Sequence, residues 1–165
     1  MALHRYSVRL AMLSDRLFLR SMLYEAAFPV GRDRPPADEF YRSDAAKAFL
    51  DGWGRPGDHG VIAEADFEPV GAAWFRVFDE GDTEAGFVAG ETPELVIAVE
   101  PAHRGRGVGG LLLDGLLQAA RQERYSAIGL NVPVRDAPAV SLFRRMGFET
   151  TRDRDGILTM LARLV

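Results

Sequence analysis

The sequence predicts an α/β (α+β) fold, a mixed central β-sheet flanked by helices, formed as one domain over residues 1–165. Three observations predict it. Apolar periodicity alternates along the chain between helical and extended spacing, in the order helices, β-hairpin, then β-α-β-α-β-β. Glycine, proline and Asp-Gly signals separate the stretches where one period gives way to the next. The 165 residues, 47% hydrophobic and 27% charged, suffice for one substantial core.

Residues 8–30 carry Leu10, Leu13, Leu17, Met22 and Leu23 at helical spacing, with Ser14-Asp15 as a cap between two helices. Pro29, Gly31, Pro35 and Pro36 end that segment. Residues 38–51 read as one further helix, with Phe40, Tyr41, Ala45, Ala48 and Phe49 on one face. A turn cluster over 52–58 follows. Two strands, 60–65 and 70–78, joined by a turn at Glu68-Pro69, form a hairpin. The acidic run 79–84 opens a loop or irregular strand reaching residue 90. Residues 94–99 form a strongly apolar strand stopped by Pro101. Residues 107–123 make the clearest helix, striped by Val108, Leu111, Leu112, Leu116 and Ala119. A strand at 127–132 precedes a helix at 138–146, which starts on Pro138 and stops at Gly147. Two strands, 148–151 and 157–164, close the chain around Asp155-Gly156.

Composition excludes several functions. There are no cysteines, hence no disulfide, thiolate metal site or cysteine nucleophile. His4, His59 and His103 are scattered without ligand spacing, so no metal is expected. The net charge of −4 speaks against general nucleic-acid binding. No apolar run approaches the roughly 20 residues of a membrane span. The first residues lack the apolar stretch of a signal peptide, so a cytoplasmic location is expected.

The loop Arg104-Gly105-Arg106-Gly107-Val108-Gly109-Gly110 carries the chemistry. It lies between a strand and a helix N-terminus, where the first amides have no partner within the helix and the dipole adds positive charge. Glycines let those amides approach an anion closely, and two arginines add full charge, so a phosphate-bearing ligand is expected. A Walker loop is excluded because no Gly-Lys-Ser/Thr follows. Gly105, Gly107 and Gly110 match the dinucleotide spacing G-x-G-x-x-G. However, residues 101–104 separate them from the strand, and Asn131 stands where an acidic residue is required. About 55 residues remain after the loop, too few for the second half of such a fold.

The segment from Pro93 through Pro101, followed by Arg104, Gly107 and Gly109 in the pattern Arg/Gln-x-x-Gly-x-Gly/Ala, closely resembles motif A of the GNAT acetyltransferase superfamily. Residues 138–149, with Leu142-Phe143 and the terminal Gly147-Phe148, resemble its motif B. The 53–58 cluster together with Val70-Gly71-Ala72-Ala73-Trp74 is similar to a bacterial branch whose substrates are mostly unassigned.

The resemblance implies an acetyl-CoA-dependent N-acetyltransferase acting by direct attack of an amine on the thioester. The acceptor would be a small molecule or a peptide amine. It implies that the strand ending at Val99 and the strand holding Asn131 splay apart to admit the pantetheine arm. That arm pairs with backbone around Ile97, Ala98 and Val99, where one amide N–H stabilises the oxyanion. The diphosphate is expected on the amides of Gly105, Arg106, Gly107, Val108, Gly109 and Gly110, with Arg104 beside them. Amines are mostly protonated at neutral pH, so a general base is useful. Glu94 is the first candidate and Glu91 the second, with a solvated strand-start residue as the other reading of Glu94. Strand alternation puts Glu94, Val96 and Ala98 on one face and Leu95, Ile97 and Val99 on the other.

Two positions depart from the family pattern. Phe143 replaces the tyrosine that often protonates the leaving thiolate, with water or Tyr125 as substitutes; Ser141 is turned roughly 200° away on the same helix. Asp136 and Ala137 stand where many relatives carry asparagine near the CoA arm. A non-catalytic or weakly catalytic acyl-CoA-binding module is therefore the alternative function. Trp53, Trp74 and Phe75 belong either to an acceptor pocket or to the core, and Glu25, beside Tyr24, either faces a cationic amine or decorates a helix surface. His103 either contacts the ligand or is a surface residue. Homodimers are common in the family, and the chain is compatible with one.

Overall fold

The computed structural model describes residues 5–28, 33–78 and 92–164. Seven strands form one sheet in the order β1-β2-β3-β4-β5-β7-β6. In sequence these are β1 (Tyr6–Leu10), β2 (His59–Ala65), β3 (Glu68–Arg76), β4 (Glu94–Val99), β5 (Ala127–Pro133), β6 (Glu149–Arg154) and β7 (Ile157–Arg163). All neighbours are antiparallel except β4 and β5, whose connection runs through a helix. The helices are α1 (Arg16–Ala27), α2 (Ala37–Tyr41), α3 (Asp44–Leu50), α4 (Val108–Gln122) and α5 (Ala137–Arg145).

Strand alternation divides the core into two layers. On one face, Leu113, Leu116 and Leu117 of α4 and Phe143 of α5 pack with Phe75, Leu95, Ile128 and Leu130. On the other, Leu19, Met22 and Leu23 of α1 pack with Phe40, Phe49, Ile62, Trp74 and Ala98. Leu95, Ile97 and Val99 do face α4, while Val96 and Ala98 face α1, as the alternation requires.

Several expected boundaries move. The helical reading of residues 8–30 fails at its start, because Tyr6–Leu10 is an edge strand paired to β2 and α1 begins only at Arg16. Leu10, Leu13 and Leu17, placed on the helical stripe, are 69%, 62% and 69% exposed. The reason is Asp15. Its carboxylate accepts the Met12 N–H at 2.7 Å and receives two Arg9 guanidinium bonds at 2.8 and 2.9 Å, which turns the chain between strand and helix. The single helix over 38–51 is two helices, split at Ser43, whose hydroxyl caps α3 by accepting the Ala46 N–H at 3.2 Å. The first hairpin turns at Asp66-Phe67 (φ 50° and 73°), not at Glu68-Pro69, which lies inside β3. Two consecutive left-handed residues match the twist of a two-residue hairpin. The Asp155-Gly156 turn has the same form. The expected loop over 79–90 lies outside the described residues.

Candidate active site

The phosphate-loop candidate sits at the C-terminal end of β4. After Val99 a short 3-10 turn at Pro101–His103 leads into the loop, and α4 starts at Val108. The helical ladder opens with the Leu111 N–H bonded to the Gly107 carbonyl at 3.2 Å, so the amides of Val108, Gly109 and Gly110 precede it. The four glycines have different physical reasons. Gly105 and Gly107 are left-handed at φ 74° and 83°, where a side chain is strained. A Cβ on Gly109 would come within 2.8 Å of the Leu142 side chain, so this glycine admits α5 against the start of α4. A Cβ on Gly110 would meet nothing within 4 Å, so open space lies beside the helix start there. Arg106 is exposed at the mouth. Arg104 is folded back instead. Its Nε donates to the Val99 carbonyl at 2.9 Å and its Nη2 to Glu25 at 3.2 Å, tying the loop to β4 and α1. Val108 is buried in the core and orients the helix start.

Beside this loop the sheet opens. β4 and β5 share one register pair, Glu94 with Gly129, whose N–H bonds the Pro93 carbonyl at 3.0 Å. From Leu95 to Val99, β4 keeps its pairs with β3 but has none with β5. The backbone of Ile97, Ala98 and Val99 therefore lines a gap between parting strands. A ligand with an anionic group and an extended polar arm fits this combination: amides and clear space at the helix start, and unpaired strand backbone next to it.

At the root of the gap lies Glu94. It is 2% exposed, which rules out the solvated reading. The Asn131 amide donates to Glu94 Oε1, and the Thr159 hydroxyl donates to Asn131 Oδ1 at 2.6 Å. Glu94 Oε2 is buried with no hydrogen-bond partner among the described residues. Burial pushes the Glu94 carboxyl up to about 8, against the opposing pull of the Asn131 hydrogen bond. Such a group can exchange a proton near neutral pH. Glu91, the second candidate base, lies outside the described residues.

The Phe143 ring is buried and meets Phe148 edge-on at 5.7 Å between centroids. Ser141 is exposed, and its Oγ accepts from Arg145 at 3.0 Å. Tyr125 follows the far end of α4, about 22 Å along the helix from the loop, and packs edge-on against Phe75. Asp136 caps α5 by accepting the Ala139 N–H.

On the α1 side, a cavity of about 500 Å³ is lined by Ser21, Tyr24, Glu25, Tyr41, Glu100 and Pro101. Glu25 is neither a free acceptor carboxylate nor plain helix surface. Arg34 forks onto it at 3.0 and 2.9 Å and Arg104 adds a third bond; hydrogen bonds from Arg34 hold its carboxyl below the ordinary range. Trp74 and Phe75 are core residues, both fully buried, and the Trp74 indole donates to the Phe49 carbonyl. Trp53 is half-buried at the edge of the α1-side core. His103 is bonded through Nδ1 to the Tyr6 hydroxyl at 2.9 Å. His59 lies against Phe75 and 3.4 Å from Glu123. Sequence reasoning missed Thr159, Arg34 and the buried Asp58–Arg76 pair. Thr159 and the Asp58–Arg76 pair act across 28 and 18 residues, which leaves no local pattern to find, and Arg34 reaches back nine residues to Glu25 with no helical or strand spacing to mark it.

The model of the acetyltransferase (GNAT) family matches residues 21–148. The chain belongs to that family. Among relatives of this GNAT chain, streptothricin acetyltransferase of Streptomyces lavendulae is 36% identical over 113 residues, 62% of the chain and 56% of that protein. Mycothiol acetyltransferase of Clavibacter sepedonicus is 26% identical over 69% of the chain and 34% of its own length. The chain thus spans between about a third and about half of these curated relatives. Two solved structures share the fold. A putative acetyltransferase from Salmonella typhimurium with its cofactor acetyl-CoA has a TM-score of 0.70 at 19% identity, covering 98% of this chain and 95% of that one. The PaiA N-acetyltransferase of Thermoplasma acidophilum in complex with coenzyme A has a TM-score of 0.72 at 12% identity, covering 96% and 99%. No helix among the described residues is long and apolar enough to cross a membrane.

Proposed function

We propose that this GNAT chain transfers an acetyl group from acetyl-CoA to a primary amine of a small molecule or peptide. The observation that carries the reading is the amide-lined start of α4 beside the gap between β4 and β5, with the buried Glu94 at the root of that gap. The amides of Gly105 to Gly110 and the Arg106 side chain hold the diphosphate, and the β4 backbone from Ile97 to Val99 pairs with the pantetheine arm. The thioester supplies the acetyl group. A β4 amide N–H in the gap stabilises negative charge as it develops on the acyl oxygen. In its ionised form Glu94 takes the proton that the amine nitrogen sheds, so the reaction gains rate as pH rises toward about 8.

A second reading has one observation in its favour. Phe143 puts a ring without a hydroxyl at the position where the family pattern often has tyrosine, so the thiolate leaves with a proton from water or unprotonated. In that reading the chain holds acyl-CoA and turns over weakly or not at all. One experiment separates the two. Calorimetry with acetyl-CoA is paired with acetyl-CoA-dependent thiol release over a panel of amines, polyamines and peptides, streptothricin included. Binding with thiol release on some amine supports the transferase. Binding with no release on any amine supports the module. Absence of binding overturns both.

A further inference from the structure

Glu94 has two oxygens in different situations. Oε1 accepts from the Asn131 amide, while Oε2 is buried and bare among the described residues. Asn131 lies two residues beyond Gly129, the single β5 partner of Glu94, and on the same face of the sheet. Its side chain therefore reaches back across the strands just where they part. Thr159 is the direct cross-strand partner of Asn131 on β7, and its hydroxyl donates to the amide oxygen at 2.6 Å. That bond and the bond to Glu94 are made together in only one orientation of the amide. With the carbonyl oxygen held by Thr159, only the NH2 end is presented to the carboxyl.

A polar bridge serving packing alone has no reason to leave an oxygen unsatisfied, because a buried acceptor without a donor is costly. The asymmetry fits an incoming donor instead. We propose that Asn131 and Thr159 are positioning residues that fix the Glu94 carboxyl, so that Oε2 alone receives the proton of the acceptor amine. This rests on the reading of Glu94 as the general base. The amine lone pair forms the bond to the acyl carbon and the nitrogen loses its proton to the ionised Oε2; the C–S bond breaks, the CoA thiolate leaves and takes a proton from water, and the neutral Glu94 acid returns its proton to water.

Among the described residues no other charge contacts the carboxyl. Arg76, directly across on β3, is held by Asp58 and the Ala48 carbonyl. The facing groups on β5 and β7 are the neutral Asn131 and Thr159. On α1, Arg20 lies over Tyr41 and Glu25 is held by Arg34 and Arg104, while Leu19, Met22 and Leu23 are the residues it buries. An amide N–H on Oε1 favours the ionised form, and a carbonyl oxygen turned there disfavours it.

The test is a carbon-13 NMR titration of the full chain labelled at glutamate, with Glu94→Gln assigning the resonance. Thr159→Val removes the hydroxyl that bonds the amide oxygen of Asn131 and keeps a side chain of similar size. We expect it to raise the Glu94 midpoint, and Thr159→Ser, which keeps the hydroxyl, to restore it. Asn131→Leu raises the midpoint as well. With a working amine, the acidic limb of kcat/KM moves upward by the same shift, whereas a merely structural role lowers rate at every pH without moving the limb. The positioning role is overturned if the midpoint stays in place in Thr159→Val and Asn131→Leu, or if Thr159→Ser shifts it as far as valine does. Failure of the base reading looks different: Glu94→Gln would then keep wild-type turnover and pH profile, whatever the titrations show.

Discussion

Glu94 shows how burial gives a residue its chemistry. A carboxyl at 2% exposure with one hydrogen bond holds its proton to about 8, against an ordinary value of 4.5. The folded state therefore binds more protons than the unfolded chain between these values, and stability falls as pH rises through that window. Below about 4.5 both states are protonated and the residue costs nothing; above about 8 the full difference is felt, on the order of a few kcal/mol. We expect Glu94→Gln to lose less stability than the wild type between pH 5 and pH 9, measured by denaturant unfolding at both. Equal pH dependence of the two proteins would mean that Glu94 is not the buried acid described. The sequence shows only a glutamate at the start of an apolar strand. Its burial comes from packing, and its partners lie 37 residues away on β5 and, through Asn131, on β7.

At the scale of the element, the start of α4 is where the local sequence says most. Gly107 before the helix and the unladdered amides after it are local features, and spacing alone reveals them. Gly110 gives a clean test of what those amides are for. Its Cβ position is empty and its φ is not left-handed, so Gly110→Ala should leave the fold intact and stabilise the helix by up to about 1 kcal/mol. The same methyl would fill open space at the helix start, beside the amides proposed to hold the diphosphate. The expected outcome is an unchanged or higher melting temperature with acetyl-CoA affinity lowered several-fold in calorimetry. Unaltered affinity would place the diphosphate elsewhere. Gly109, identical in the sequence, is different in kind, since its missing Cβ makes room for Leu142 of α5. Only the packing of two helices separates the two roles.

Across the whole molecule, the turn cluster 52–58 and α3 are pinned to the sheet by one ion pair. Arg76 and Asp58, each with 1% side-chain exposure, share two bonds at 3.0 and 2.9 Å, and Arg76 also reaches the Ala48 carbonyl at 2.8 Å. Asp58 accepts from the amides of Gly54 and Arg55 as well, so its loss leaves a buried cation and loosens the turn. Asp58→Ala should cost about 3–5 kcal/mol, the usual penalty for an orphaned buried charge, read as a lower midpoint in urea. A loss under 1 kcal/mol would show that Arg76 finds solvent. Binding acts in the opposite direction, because a ligand held only by the folded state raises the melting temperature in proportion to the logarithm of its excess over Kd.

Legible in the sequence alone were the order of elements from residue 60 onward, the strand–loop–helix setting of 104–110 and the family pattern around Gly107 and Phe148. These are local signals: periodicity, turn chemistry, and glycine and arginine spacing within a few residues. It misread the stretch before α1, because Leu10 and Leu13 extend the spacing of a helical stripe while Arg9 and Asp15 turn the chain there. It also left Glu94 and Glu25 open between roles. Only the tertiary structure shows what surrounds each of them. A carboxylate's proton affinity and availability depend on which side chains the sheet and helices bring to it: packing buries Glu94, Asn131 bonds one of its oxygens while the other is bare among the described residues, and Arg34 and Arg104 occupy Glu25.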